Sequence, residues 1–283
     1  MKFTVLGGSG FIGSRLVKHL ETCGHIVQVA SRDATEISSG TAGHVVCCIG
    51  LTSDFRTRPY EAVDAHVCTP ARLMRTMQFD SWLTLSSTRL YGGLRSSELA
   101  TEDHALPMRP GRDGLYDGSK LVGEALTFAH PAPTARVVRL SNVCGAGQDR
   151  TTFLASILED VFRDNAVVVR EDPASAKDYI DIDDVLRLIE AIALRGKSRI
   201  YNVASGTNIS HASLADQLRQ KLGARVEFAA DAPKRTFARV DIARISQEFG
   251  FTPSPFHVVL DRMIAAVRPH EQTRTQKNDP GQS

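Results

Sequence analysis

The 283-residue sequence predicts an α/β fold built on a doubly wound, mostly parallel sheet. Two observations carry that prediction. Short apolar runs of strand length alternate with longer segments of helical period. The first run also ends in a glycine-rich turn that opens directly into a helix. A chain of this length supports a large core, with one main domain and a smaller lobe.

The first strand is Lys2-Phe3-Thr4-Val5-Leu6, followed by Gly7-Gly8-Ser9-Gly10-Phe11-Ile12-Gly13 and a helix turning Leu16, Val17 and Leu20 inward. Strand, glycine turn and helix in that order give a G-x-x-G-x-x-G match its meaning. Gly7 permits the tight turn, Gly10 lets a pyrophosphate approach the backbone, and Gly13 lets helix and strand pack closely. The helix N-terminus then offers free N–H groups and a partial positive charge to phosphates. The loop therefore predicts a dinucleotide-binding, Rossmann-type half.

His25 to Ala30 reads as the second strand, with Val45–Ile49, Trp82–Ser86, Ala135–Leu140 and Ile200–Val203 following. Helical patterns lie between most of them, as at Tyr60–Met77 and Lys120–Phe128. Between the second strand and the next lie only about a dozen residues, Ser31 to His44, rich in Ser, Thr, Gly and Ala and without apolar period. A complete half would place a helix, a strand and another helix there. That third strand is a sheet edge in the 3-2-1-4 order, so its loss is tolerable. A dozen extended residues reach roughly 36–43 Å, enough to pass beneath the first strand. The sheet is expected to be truncated at its third-strand edge.

Composition excludes several classes. Hydrophobic content of 42% and charge of 23% are ordinary for a globular protein. A net charge of +2, with no basic run interleaved with aromatics, predicts no nucleic-acid partner. No apolar stretch approaches the ~20 residues that span a bilayer, and the N-terminus runs straight into a strand. No membrane partner and a cytoplasmic location are therefore expected. Cys23, Cys47, Cys48, Cys68 and Cys144 are odd in number and lack C-x-x-C spacing, so reduced thiols are expected rather than disulfides or zinc. The polar segment 270–283, with its late Pro-Gly, reads as a disordered tail.

Tyr116-Asp117-Gly118-Ser119-Lys120 carries the chemistry. On a helix the four-residue spacing puts the phenol and the ammonium on one face. A free phenol titrates near pH ~10, and a fixed ammonium beside it favours the phenolate. General acid–base work on an alcohol or carbonyl becomes possible. Alone the spacing fits many solvated helix faces. The glycine turn and a Ser86-Ser87-Thr88 cluster at a strand end give it weight.

From Lys2 to Phe251 these motifs resemble, in order, those of the extended short-chain dehydrogenase/reductase family, in its nucleotide-sugar epimerase/dehydratase group. Gly7 to Gly13 resembles the cofactor loop. L-S-S-T-R-L-Y-G (Leu85 to Gly92) resembles the strand whose active-site Ser or Thr precedes the Tyr of "YG" by four residues, which gives Ser87. L-Y-D-G-S-K-L-V-G-E (Leu115 to Glu124) resembles the Tyr/Lys helix, and R-L-S-N-V-C-G (Arg139 to Gly145) the segment whose Asn, here Asn142, touches the nucleotide side of the substrate. K-D-Y-I-D-I-D-D-V (Lys177 to Val185) and Y-N-V-A-S-G (Tyr201 to Gly206) resemble two later landmarks.

The resemblance implies a catalytic set of Ser87, Tyr116 and Lys120. Tyr116 would be the acid or base at a sugar oxygen. Lys120 would hold the cofactor ribose and depress the Tyr116 pKa. Ser87 would hold the reacting oxygen. Gly7, Gly10, Phe11, Ile12 and Gly13, with Ser31, Arg32 and Lys120, would bind the dinucleotide, and Ser87, Thr88, Arg89, Asn142 and Arg235 the substrate. No metal is implied. A Rossmann-type domain of residues 1–143 and 180–204 would carry a smaller α/β substrate lobe of 144–179 and 205–269 at its C-terminal side. A homodimer through two helices per subunit, one bearing Tyr116, is the family expectation.

Departures from the family pattern narrow the activity. The second strand runs into Ala30-Ser31-Arg32-Asp33, without the acidic residue that binds a ribose 2′-OH. Arg32 suits a 2′-phosphate, unless it is simply solvated beside Asp33, so NADP is favoured over NAD. Family 4,6-dehydratases place Asp-Glu after their active-site Thr, where this chain has Thr88-Arg89. Arg89 is expected at a phosphate or at the pocket rim. Cys144 reads as a small packing residue and His66, where the family has Asn, as a satisfied structural histidine. Among Asp181, Asp183 and Asp184, one of the last two fits a helix N-cap. Lys234, Arg235 and Arg239 are basic residues for a diphosphate or a solvated loop. The expected activity is reduction of a keto group on a nucleotide-activated sugar. A nucleotide-sugar epimerase is the alternative, with a non-catalytic dinucleotide sensor and a reductase of small ketones further off.

Overall fold

The computed structural model describes residues 1–30, 41–51, 55–108, 110–148 and 150–275. The chain runs β1 (Lys2–Leu6), α1 (Phe11–Thr22), β2 (Ile26–Ala30), β3 (His44–Cys47), α2 (Pro59–Val63), a π-helical turn (Asp64–Cys68), α3 (Thr69–Thr76) and β4 (Ser81–Ser87). A 3₁₀ turn (Thr88–Tyr91), β5 (Leu99–Ala100), α4 (Arg112–Ala129), β6 (Ala135–Leu140), β7 (Asn142–Cys144), α5 (Phe153–Asp164), β8 (Ala166–Val169) and β9 (Ala176–Asp181) follow. The rest is α6 (Ile182–Arg195), β10 (Ile200–Val203), β11 (Asn208–Ser210), α7 (His211–Leu222), β12 (Arg225–Phe228), β13 (Arg239–Val240), α8 (Ala243–Phe249) and α9 (Phe256–Thr275).

Six strands form one parallel sheet in the order β10-β6-β4-β3-β1-β2. Period-two alternation feeds both faces. Phe3, Val5, Val46, Leu83 and Leu85 pack with α1 and α6 on one side. Leu6, Val45, Cys47 and Trp82 pack with α2, α3 and α4 on the other. Such double-sided burial is what a parallel sheet requires. Strand order reverses between β1 and β3, and a ligand crevice opens outside the carboxyl ends of strands at such a point.

Among the described residues the sheet ends at β2, as expected of a truncated edge; the connecting residues 31–40 lie outside the described residues. A second core belongs to the smaller lobe, where α5, α7 and α9 bury Leu154, Leu158, Leu218, Leu260 and Met263 against the parallel pair β8/β12. The lobe leaves the sheet domain through β7 and β9, which pair in parallel.

Three expectations need revision. The helix expected over Tyr60–Met77 is broken into α2 and α3 by the π-helical turn holding His66. The N-cap of α6 is Asp181, whose carboxylate accepts the Asp183 N–H at 3.4 Å, because β9 passes into α6 with no intervening loop. Asp184 is buried instead and accepts from Ser254 N at 2.7 Å. Helix α9 also runs to Thr275, so it takes in the first six residues of the segment expected as a tail; 276–283 lie outside the described residues.

Candidate active site

β4 ends at Ser87, whose Oγ accepts the Arg89 N–H at 3.1 Å and so caps the 3₁₀ turn that follows. Across from it, α4 presents Tyr116 and Lys120 one turn apart, both buried. α4 is fixed to the sheet by an enclosed fork. Arg139 of β6 donates to Glu124 through Nε at 2.9 Å and Nη2 at 2.7 Å, and to Tyr91 Oη through Nη1 at 2.8 Å. The Ser87 side chain acts to lower the Tyr116 phenol pKa, and the Lys120 Nζ donates to Leu85 O at 3.0 Å. The expected trio is thereby assembled in one cleft of about 790 Å³ that also reaches the glycine loop.

Burial pushes the Tyr116 phenol up to about 12; the Arg89 charge opposes this, Asp117 adds to it, and the Ser87 side chain opposes it. The Lys120 charge, expected to act on the Tyr116 phenol, is not among the causes of that shift. Its Nζ stands 6.0 Å from the Tyr116 ring centre and is turned toward Leu85 O. Arg89 lies nearer, with Cζ 5.3 Å from the Tyr116 ring and 5.2 Å from that of Phe55. Those two rings lie 4.8 Å apart, and Arg89 Nε is held by Asp117 Oδ1 at 2.8 Å. Arg89 thus lines the cleft beside the Tyr116 ring, with its side chain 36% exposed. Burial pulls the Lys120 ammonium down to about 8, against the Cys47, Glu124 and Cys48 charges.

His66 is a satisfied structural histidine. Leu51 N–H donates to its Nε2 at 3.2 Å, so Nδ1 carries the proton and donates to Ser119 Oγ at 2.8 Å. Ser119 then donates to Tyr116 O at 2.9 Å. Burial, then the Lys120 charge, pulls the imidazole down to about 3, so it stays neutral. A β-carbon on Gly123 would lie 2.7 Å from His66 O, which shows how closely α4 approaches the π-helical turn.

The glycine loop fits a pyrophosphate. Gly7 adopts φ +78°, and a β-carbon there would stand 3.0 Å from the Cys48 carbonyl carbon. One on Gly13 would stand 2.2 Å from Gly7 O. Gly10 caps α1 without a side-chain bond, leaving the first-turn N–H groups of α1 for a ligand, and Gly10 to Gly13 line the cleft. Ser31 and Arg32 lie outside the described residues.

At the opposite end the cleft is lined by Thr88, Asn142 and Arg235. Asn142 Nδ2 donates to Asp178 O at 2.8 Å, and Arg235 Nε lies 3.9 Å from Glu171 Oε1. Cys144 also borders it, but its thiol donates to Ile180 O at 3.4 Å and is pushed up by burial, as a packing residue. Sequence reasoning passed over Phe55, Asp117 and Lys177. Lys177 Nζ lies 3.8 Å from the Phe153 ring centre and 3.1 Å from Glu171 Oε1, on the cleft wall. Its place in K-D-Y-I-D-I-D-D-V was the available signal; Phe55 had none. Ser86 and Tyr179 also border this cleft, and their Oγ and Oη are buried without a partner among the described residues.

The model of the NAD dependent epimerase/dehydratase family matches residues 36–204, more than half of the chain. The chain belongs to that family. Its relatives include dTDP-glucose 4,6-dehydratase of Streptomyces griseus, 31% identical over 62% of this chain and 54% of the relative, so this chain spans about half of that protein. dTDP-4-dehydro-6-deoxy-D-allose reductase of Streptomyces bikiniensis is 23% identical over 94% of this chain and 96% of the relative. The solved structure of RMD from Pseudomonas aeruginosa complexed with NADPH superposes with a TM-score of 0.81 at 21% identity, covering 94% of this chain and 99% of that one. At that identity the likeness establishes the fold alone. This member of the epimerase/dehydratase family accordingly has the Rossmann-type α/β architecture its motifs implied.

Proposed function

We propose that the chain reduces a keto group on a nucleotide-bound sugar, with Tyr116 giving the proton to the carbonyl oxygen. The observation that carries this reading is Arg89. Expelling water from a keto-sugar needs a carboxylate to take the proton next to the carbonyl, and the position that would supply it holds a guanidinium over the Tyr116 ring. Tyr116 is also a proton donor at neutral pH, since burial holds it up to about 12. The near full-length match to a keto-sugar reductase supports the same direction.

In this reading Ser87 Oγ and the Tyr116 hydroxyl converge on the carbonyl oxygen, and Arg89 stabilises the phenolate as it forms. Gly10 to Gly13 take the pyrophosphate of a nicotinamide dinucleotide, which supplies the hydride when bound. Lys120 exchanges Leu85 O for the ribose hydroxyls. Asn142, Lys177 and Arg235 face the substrate diphosphate. NADPH is favoured over NADH from Arg32 in the sequence. A homodimer through α4, which exposes Leu115 and Val122, belongs to the same proposal; light scattering that reads a monomer at micromolar concentration removes it.

The test mixes purified protein with a panel of nucleotide 4-keto-sugars and NADPH and follows loss of nicotinamide absorbance. Net turnover is expected with at least one, falling by roughly 10²-fold or more in Tyr116→Phe. NAD held tightly through purification, with sugar interconversion and no net NADPH consumption, overturns the reductase in favour of an epimerase.

A further inference from the structure

At the C-terminal end of α1, opposite the end that lines the cleft, three different donor groups converge without a role in the chemistry above. His19 and Cys23 stand four residues apart at the C-terminal end of α1 and therefore on one side of it. Glu190, from the middle of α6, meets them across the helix pair. His19 Nε2, Cys23 Sγ and a Glu190 oxygen all lie within 4.8 Å of one another. We propose that His19, Cys23 and Glu190 form a binding site for a borderline divalent cation of the zinc type, tying the end of α1 to α6.

The spacing suits a tetrahedral ion. Bonds of ~2.0–2.1 Å to nitrogen, ~2.3 Å to sulfur and ~2.0–2.2 Å to oxygen set ligand separations of roughly 3.6 Å for N···S and 3.3 Å for N···O. His19 Nε2 and Cys23 Sγ are 3.8 Å apart. His19 Nε2 and Glu190 Oε2 are 2.7 Å apart, closed as a hydrogen bond, and a rotamer adjustment of roughly 0.6 Å admits the ion between them. The second carboxylate oxygen is already oriented, because His25 Nε2 lies 2.7 Å from Glu190 Oε1. Such a partner is what fixes a ligating carboxylate. Partial negative charge at the C-terminus of α1 adds to the attraction for a cation. Nitrogen, thiolate and carboxylate together select a borderline ion over magnesium or calcium. The His19, Glu190 and His25 side chains are each at most one-fifth exposed, and Cys23 faces solvent, which leaves an entry path and a fourth position for water. Cysteine spacing alone gave no hint of this, because the donors come from two elements 165 or more residues apart in sequence.

The test titrates Co(II) into untagged, EDTA-treated full-length protein at neutral pH. One saturable equivalent with a thiolate-to-cobalt charge-transfer band is expected, displaced by Zn(II). The band is lost in Cys23→Ser and kept in Cys68→Ser, the other exposed cysteine. Affinity falls about 10-fold or more in Glu190→Gln. Zn(II) raises the melting temperature of the parent and not of Cys23→Ser, whose melting temperature in EDTA matches the parent's. A band that survives Cys23→Ser, equal affinity in Glu190→Gln, or no saturable equivalent overturns the site and leaves the cluster as a carboxylate shared by two histidines.

Discussion

Replacing Arg89 by Gln removes the nearer of two cations that face the Tyr116 ring while keeping a polar side chain of similar reach. Taking the 5.3 Å from Cζ to the ring centre as the separation and an effective dielectric of about 20, a full charge acts on a charge spread over the Tyr116 ring with roughly 3 kcal/mol. Two things reduce this. Asp117, 2.8 Å from Arg89 Nε, pushes the phenol the other way, and Arg89 is 36% exposed, so water screens it. A net effect of about 1 kcal/mol, or roughly a fivefold fall in kcat, remains for the step in which Tyr116 gives up its proton. Asp117→Asn moves the balance the other way, since it leaves Arg89 charged and removes the opposing carboxylate, and kcat is expected to hold or rise. The assay is steady-state NADPH oxidation with a nucleotide keto-sugar across neutral pH. A raised KM with unchanged kcat in Arg89→Gln would mean that Arg89 binds substrate and does not act on the phenol. An Asp117→Asn variant slowed as much as Arg89→Gln would refute the opposed-charge account altogether.

Two further outcomes follow from the buried charges. Glu124→Ala leaves Arg139, 4% exposed, without its carboxylate and should destabilise the fold by about 3–5 kcal/mol in urea melts, whereas Glu124→Leu combined with Arg139→Met should recover most of that loss. Lys120 titrates at about 8 in the fold and near 10.4 unfolded, so the unfolded chain binds more protons between those values and the Lys120 contribution to stability rises with pH through that window. Lys120→Met should therefore be more stable than the cofactor-free parent by up to about 3 kcal/mol below pH ~8, with the gap closing toward pH ~10.4, and a gap that stays constant across paired melts contradicts the shift.

Strand periodicity, the strand–glycine–helix passage and the Tyr116/Lys120 spacing are local properties, each decided within a dozen or so residues. That is why the sheet strands were legible to within two residues or so, and why Tyr116 and Lys120 could be placed on one helix face; the structure brings them into one cleft with Ser87. The π-helical turn at His66 was not legible. It depends on Leu51 and Ser119 satisfying both ring nitrogens, contacts that come from elsewhere in the chain. The cap at Asp181 was missed by two or three residues because its position depends on where β9 ends.

What the sequence by itself determined is the architecture and the placing of Tyr116 and Lys120 one turn apart on one helix, since turn chemistry, alternation and helical spacing are short-range. What only the tertiary structure decided is which charge acts on which group. Lys120 was the expected tuner of Tyr116 from its place on the same helix face. The fold directs Lys120 Nζ to Leu85 O near the end of β4 and also brings Arg89 to the Tyr116 ring, because Arg89 is held by Asp117 and lies over Phe55. Electrostatic influence follows distance and burial in space, and spacing along a helix supplies only part of either.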